Sequence, residues 1–273
     1  MRLPDSMIPI GDENPTLRTP VATYATLAAI LVVWVVVQGM GSDFHALTGS
    51  VCNWGLVPGE LTHQARLGTS VPLGRDPNGG FWVCSVDNER KNLLTPLTSM
   101  FLHGSWGHLI GNSIFLWIFG NNVEDSMGRI RFVLFYLICG LAAAATHVML
   151  DPASPVPTVG ASGAISGVMG AYLVLYPHAR VKMLVPPFIF WIFRIPAWLV
   201  LIYWFGVQLL TGLPQLMPVR PDVSGGVAVW AHVGGFVAGA LLIKVFEDRS
   251  LVRRRMVAGD AKVAFTEPPG RFQ

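Results

Sequence analysis

Charge is scarce in this chain. Only 13% of its 273 residues are Asp, Glu, Lys or Arg, while 52% are hydrophobic. Soluble domains carry charge at about a quarter of their positions, so this deficit excludes an ordinary soluble domain. A mean hydropathy of +0.51 agrees. The net charge of +3 is small, and the basic-aromatic modules of nucleic-acid binding are missing, so no nucleic-acid partner is expected. Cysteine is scarce too, with three residues. Cys139 lies in an apolar stretch and reads as a small packing residue. Cys52 and Cys84 share one long loop, where the sequence allows either a disulfide or two free thiols. No internal repeat is evident, which weakens a transporter built on inverted repeats. A His-Glu-x-x-His motif is absent, so no metal site is expected. Ala164 breaks the Gly-x-Ser-x-Gly elbow of the soluble serine hydrolases.

What is present is apolar sequence in helix-length blocks. Val21–Met40 is uncharged over 20 residues, about the length a helix needs to cross a hydrocarbon core. It reads as a retained span rather than a removed signal peptide. Six spans are expected, at 21–40, 106–122, 130–150, 162–176, 196–213 and 227–246. The predicted class is an all-α membrane protein, a six-helix bundle with a long first outer loop at 41–95. The segment 184–194 contains Pro186, Pro187 and Arg194 and is assigned to the membrane surface, with Arg194 snorkelling to the headgroups. The flanks are a polar segment, 1–20, and a tail, 247–273, expected to be largely disordered. Arg129, Arg131, Arg180, Lys182 and the tail's arginines fall on one side of this topology, which puts both termini in the cytoplasm. The inner (plasma) membrane is the expected location.

Polar residues inside such spans are costly and are functional suspects by default. Under this topology His108, Asn112, Ser162 and His232 lie toward the outer half of the bilayer at similar depth. From Ser162 to Tyr176 a helix measures roughly 22 Å against a core of roughly 30 Å, so its outer end is recessed. Ser162, Ser166 and Gly170 recur on one helical face, with Gly163 and Gly167 beside them. His232, Gly235 and Gly239 do the same on the last span. Such small-residue strips let membrane helices approach closely, and packing one on the other brings Ser162 to His232. Ser166 is read as structural.

A serine attacks a carbonyl when a base takes its proton, and a neutral imidazole suits that task. No buried acid is placed to orient His232, so a Ser–His dyad is expected, its ring held by packing or a hydrogen bond. Backbone N–H groups around Gly160 and Ser162, with the side chains of His108 and Asn112, are the candidate oxyanion donors.

In this order and spacing, Gly160-Ala161-Ser162-Gly163, His232 with Gly235 and Gly239, and the pair His108 and Asn112 resemble the rhomboid family of intramembrane serine proteases. Glu124 matches a carboxylate that follows the second span of that family, and the likeness runs from about Thr95 to Phe246. The resemblance implies a six-span bundle and cofactor-free hydrolysis within the lipid bilayer, with single-pass transmembrane proteins as substrates. A catalytically inactive relative that binds transmembrane clients is the alternative, and the presence of Ser162 and His232 argues against it. Two positions depart from the family's habit. Many members carry an aromatic four residues after the nucleophile, where this chain has Ser166. Some have a Trp-Arg pair before the second span, where this chain has Leu94-Thr95.

Overall fold

A computed structural model describes residues 8–75, 81–185, 188–213 and 228–254. The chain opens with strand β1 (Ile8–Asp12). Helix α1 (Val21–Val32) follows and runs on through a π-helical turn to Val37. Its entry residue is Pro20, which has no side chain to cap the first turn. That role falls to Glu124, whose carboxylate accepts hydrogen bonds from the N–H groups of Ala22 (3.0 Å) and Thr23 (2.7 Å) and from the Thr23 hydroxyl (2.8 Å). A carboxylate at a helix N-terminus satisfies orphan donors and complements the helix dipole. The carboxylate after the second apolar segment thus fastens the first helix to it.

The described residues between 41 and 95 are folded rather than looped throughout. They hold α2 (Phe44–Trp54), α3 (Pro58–Leu61) and the antiparallel strands β2 (Ser70–Arg75) and β3 (Phe81–Ser85). Asp43 caps α2 by accepting from the Ala46 N–H at 3.0 Å. Cys52 and Cys84 form a disulfide that ties α2 to β3, which settles the choice the sequence left open.

After the short helix α4 (Thr95–Thr98), α5 (Trp106–Phe115) passes through a π-helical turn into α6 (Asn121–Met127). Helices α7 (Arg129–Leu150) and α8 (Ser162–Leu175) come next. Strands β4 (Arg180–Val185) and β5 (Phe188–Pro196) then lead into α9 (Ala197–Gly212), and α10 (Val229–Phe246) follows. Each of the six apolar segments read from the sequence contains a helix among its described residues. Two of these helices, α7 and α10, are long and apolar enough to cross a membrane; the Val21–Val37 rod, α8 and α9 are shorter apolar helices.

One expectation needs correction. The chain is mostly helical but not all-α, because the described residues include a three-stranded sheet of order β1-β4-β5 and the β2-β3 hairpin. The described residues of the stretch 184–194 belong to that sheet. Lys182 pairs with Arg194 across the β4–β5 ladder, and Arg194 meets Glu13 at 3.0 Å. Its run of β-branched and aromatic residues suits a strand as well as a membrane-facing segment, and apolar content alone does not separate the two. Pro186, Pro187 and the tail beyond residue 254 lie outside the described residues. Within the tail, expected to be largely disordered, residues 249–254 are helical.

At the centre stands α8, buried continuously from Gly163 to Tyr172. Small residues allow this. A β-carbon on Gly235 would strike the Gly163 carbonyl, one on Gly239 the Gly167 carbonyl, and one on Gly170 the Phe236 carbonyl. Helices α8 and α10 therefore touch backbone to backbone. On the other side, Gly163 and Gly167 face Ala143 and Cys139 of α7. The two glycine strips read from the sequence form this seam.

Candidate active site

The chain enters α8 through Gly160, whose φ of 135° is open to glycine and strained for other residues. Its N–H donates to the Ser99 carbonyl at 2.9 Å. A β-carbon there would lie 2.7 Å from the His108 ring. Gly160 thus permits both the turn and the seating of His108. Ser162 is the first residue of α8, where backbone N–H groups lack partners within the helix.

Across the glycine seam, His232 of α10 brings its Nε2 to 2.7 Å from the Ser162 Oγ. Its other ring nitrogen, Nδ1, lies 2.8 Å from Oε1 of Gln208 on α9. Trp204, one helical turn before Gln208, lies against the same imidazole, with ring centroids 5.8 Å apart, and against Phe236. The histidine is thus held on three sides, and only 8% of its surface is exposed. Ser166, where the family often has an aromatic, turns back along α8 and donates to the Ser162 carbonyl at 2.6 Å.

Ser162 and His232 open onto a cavity of about 440 Å³ whose walls include His108, Gly160, Gly163, Met100, Gly140 and His147. His108 sits in the first turn of α5, which Ser105 caps by accepting the His108 N–H at 3.2 Å. Asn112, expected beside it, is elsewhere. Its amide meets Nε2 of the buried His103 at 3.0 Å, and it is not among the cavity's lining residues. Of the expected oxyanion groups, His108 reaches the cavity, the Gly160 N–H is committed to Ser99, and Asn112 faces His103.

The folded segment between α1 and α5 supports this chamber from outside. Leu56 and Thr158 exchange both backbone hydrogen bonds, at 2.9 and 2.8 Å, and Gly59 donates to the Ser154 carbonyl at 2.9 Å. Thr158 also meets His147 Nε2 at 3.1 Å. These ties fix the loop that delivers Gly160. Among the described residues, no group of three His, Cys, Asp or Glu side chains is arranged to hold a metal ion.

Gln208 went unread in the sequence, whereas His147, near the outer end of the third span, reads there as a weaker candidate than His108 or His232. Gln208 is the sole side-chain amide in α9, an otherwise strongly apolar helix. A lone polar group in such a segment was the available signal. His147 gave less, since a histidine near a helix end is common at membrane surfaces.

A serine paired with a histidine inside a mainly helical apolar bundle defines a class of membrane protein. The Rhomboid domain model matches residues 90–248, more than half of the chain and a range that includes His108, Ser162, Gln208 and His232. The chain belongs to the rhomboid family, and it is an integral membrane protein with the helical membrane fold of that family. The Bacillus subtilis protein named "Putative rhomboid protease YdcA" is 35% identical over 106 residues, covering 39% of this chain and 51% of its own length. Rhomboid protease GluP of the same organism is 42% identical over 88 residues, covering 32% of this chain and 16% of its own length. RHOMBOID-like protein 5 of Arabidopsis thaliana is 30% identical over 182 residues, covering 67% of this chain and 52% of its own length. The chain thus spans about half the length, or less, of these curated relatives.

Proposed function

We propose that this protein is an intramembrane serine endopeptidase that hydrolyses peptide bonds in or near the transmembrane helices of single-pass proteins. The observation that carries this reading is the 2.7 Å contact between Ser162 Oγ and His232 Nε2 at the wall of a cavity. In the proposed cycle the Ser162 Oγ attacks the scissile carbonyl carbon while its proton passes to Nε2 of His232. The C–N bond then breaks as His232 gives that proton to the leaving amine. Water deacylates the serine ester by the same exchange in reverse.

Negative charge gathers on the carbonyl oxygen at each tetrahedral stage. The first N–H groups of α8 and the His108 side chain are the donors we assign to it, each worth about 3–4 kcal/mol of transition-state stabilisation. Gly160 serves by leaving room for His108. Asn112 enters this scheme through His103, at one remove. No cofactor takes part.

The topology in this proposal has six spans, a domain over 21–246, termini in the cytoplasm, and residence in the inner membrane. It is supported by the six helices at the six apolar segments and by basic residues at one end of the bundle. The disulfide supports an oxidising, extracytoplasmic setting for residues 41–95. The lipid bilayer is then the solvent of the outer helix faces.

The test is cleavage of a single-pass reporter by the purified chain in proteoliposomes. Wild type should release product, while Ser162→Ala and His232→Ala should each abolish it with folding retained. Substantial product from either variant refutes the dyad.

A further inference from the structure

Gln208 has no part in the proposed cycle, yet its position is hard to ascribe to packing alone. It is the one amide in a helix reading Ala-Trp-Leu-Val-Leu-Ile-Tyr-Trp-Phe-Gly-Val-Gln-Leu-Leu-Thr-Gly. An apolar residue of similar size would fill the same space without the cost of burying an amide among lipid-facing side chains. Its oxygen points to Nδ1 of His232 at 2.8 Å, on the side of the ring opposite Ser162. We propose that Gln208 is a positioning residue that fixes the tautomer and ring plane of His232. The proposal rests on the dyad reading and deepens it.

A neutral imidazole carries a single N–H, and a general base for Ser162 needs that hydrogen on Nδ1, leaving the Nε2 lone pair toward Oγ. Ser162 cannot impose this, since a hydroxyl donates and accepts equally well. A carbonyl oxygen only accepts, so Oε1 of Gln208 holds the hydrogen on Nδ1. When the serine proton arrives at Nε2, the ring becomes a cation and the Nδ1–H···O bond becomes charge-assisted, hence stronger. The contact therefore strengthens as charge develops, the condition for raising turnover rather than affinity. The amide takes no proton at any stage. Trp204, on the same face one turn away, limits rotation of the ring out of this plane.

This differs from a Ser–His–Asp arrangement in a way that suits the site. A carboxylate here would be a second ionisable group in a low-dielectric setting, where an amide oxygen orients the ring without the desolvation cost of a charge. It also gives the work of the aromatic that Ser166 replaces to two residues of α9.

Three variants of the full chain in detergent test the idea: Gln208→Leu, Gln208→Met and Gln208→Glu. The readout is the rate at which a fluorophosphonate probe labels Ser162, measured from acidic to mildly alkaline pH, alongside thermal unfolding. Leu and Met remove the acceptor while keeping bulk, and labelling should slow about 10- to 100-fold. An ionised Glu only accepts, so it should retain a rate within a few-fold of wild type. Its negative charge should move the acid limb of the profile to higher pH, a shift that a purely structural role would not produce. Wild-type labelling rates in both Leu and Met variants, or a Glu variant as slow as Leu, overturn the proposal while leaving the dyad intact. If Leu and Met fail to fold, the Glu profile decides alone, and an unmoved acid limb overturns it. Failure of wild type to label at all removes the dyad, and this role with it.

Discussion

Gly235 of α10 lies so close to the carbonyl of Gly163 on α8 that a single β-carbon would collide with it. Serine and histidine come together on the two helices that this contact joins, so the spacing of the site follows from the absence of side chains elsewhere. The opposing atom is backbone and cannot swing aside. Gly235→Val should therefore cost about 3 kcal/mol or more of stability, read as a lowered unfolding midpoint in detergent. Labelling of Ser162 should be lost with it. A variant that unfolds and labels like wild type would show that the helices need not touch.

His108 and Asn112 share a face of α5 but do different work in this structure. His108 lines the cavity, whereas Asn112 is committed to His103. His108→Ala should lower the turnover number about 100- to 1,000-fold, the usual loss for one oxyanion donor. Asn112→Ala should lower it less than about 10-fold, acting mainly through the support it gives His103. Parallel turnover measurements on one reporter check this. Equal losses would place Asn112 beside the reacting carbonyl after all.

Gly160→Ala combines two penalties. It forces a side chain into a left-handed backbone setting and presses a β-carbon onto the His108 ring. A loss of about 1–3 kcal/mol in stability is expected, together with impaired turnover. Replacing His108 by Ala in the same chain should relieve the steric part only. A stability unchanged by Gly160→Ala would mean that the entry to α8 is not strained.

The Cys52–Cys84 bond closes a loop of sequence separation 32, for which chain entropy suggests about 3–4 kcal/mol. Its loss should loosen the segment whose Leu56 and Gly59 brace the loop before Ser162. Cys52→Ser with Cys84→Ser should lower the unfolding midpoint. In intact cells, a membrane-impermeant maleimide should label these thiols from outside only after reduction. Labelling without reduction, or none after it, would contradict the pairing or the orientation of residues 41–95.

The sequence made the helices legible because apolar runs of helix length have few other uses, and all six correspond to helices. It made Ser162, His232 and the glycine strips legible because polar and very small residues are conspicuous in such runs. Strands β4 and β5 were not readable: Phe188–Pro196 is as apolar as a membrane segment, and its pairing with β4, as that of β4 with β1, depends on contacts between distant parts of the chain. The commitment of Asn112 to His103 was equally hidden, because helix periodicity assigns a face but not a hydrogen-bond partner. Gln208 was legible as an oddity, but the ring it serves could be found only in three dimensions.

The most direct test is to treat the purified protein with a fluorophosphonate and find the modified residue by mass spectrometry. A single adduct on Ser162 is expected in wild type, with none in Ser162→Ala and none above background in His232→Ala. An adduct on another residue, or undiminished labelling of Ser162 without His232, would contradict activation of this serine by this histidine.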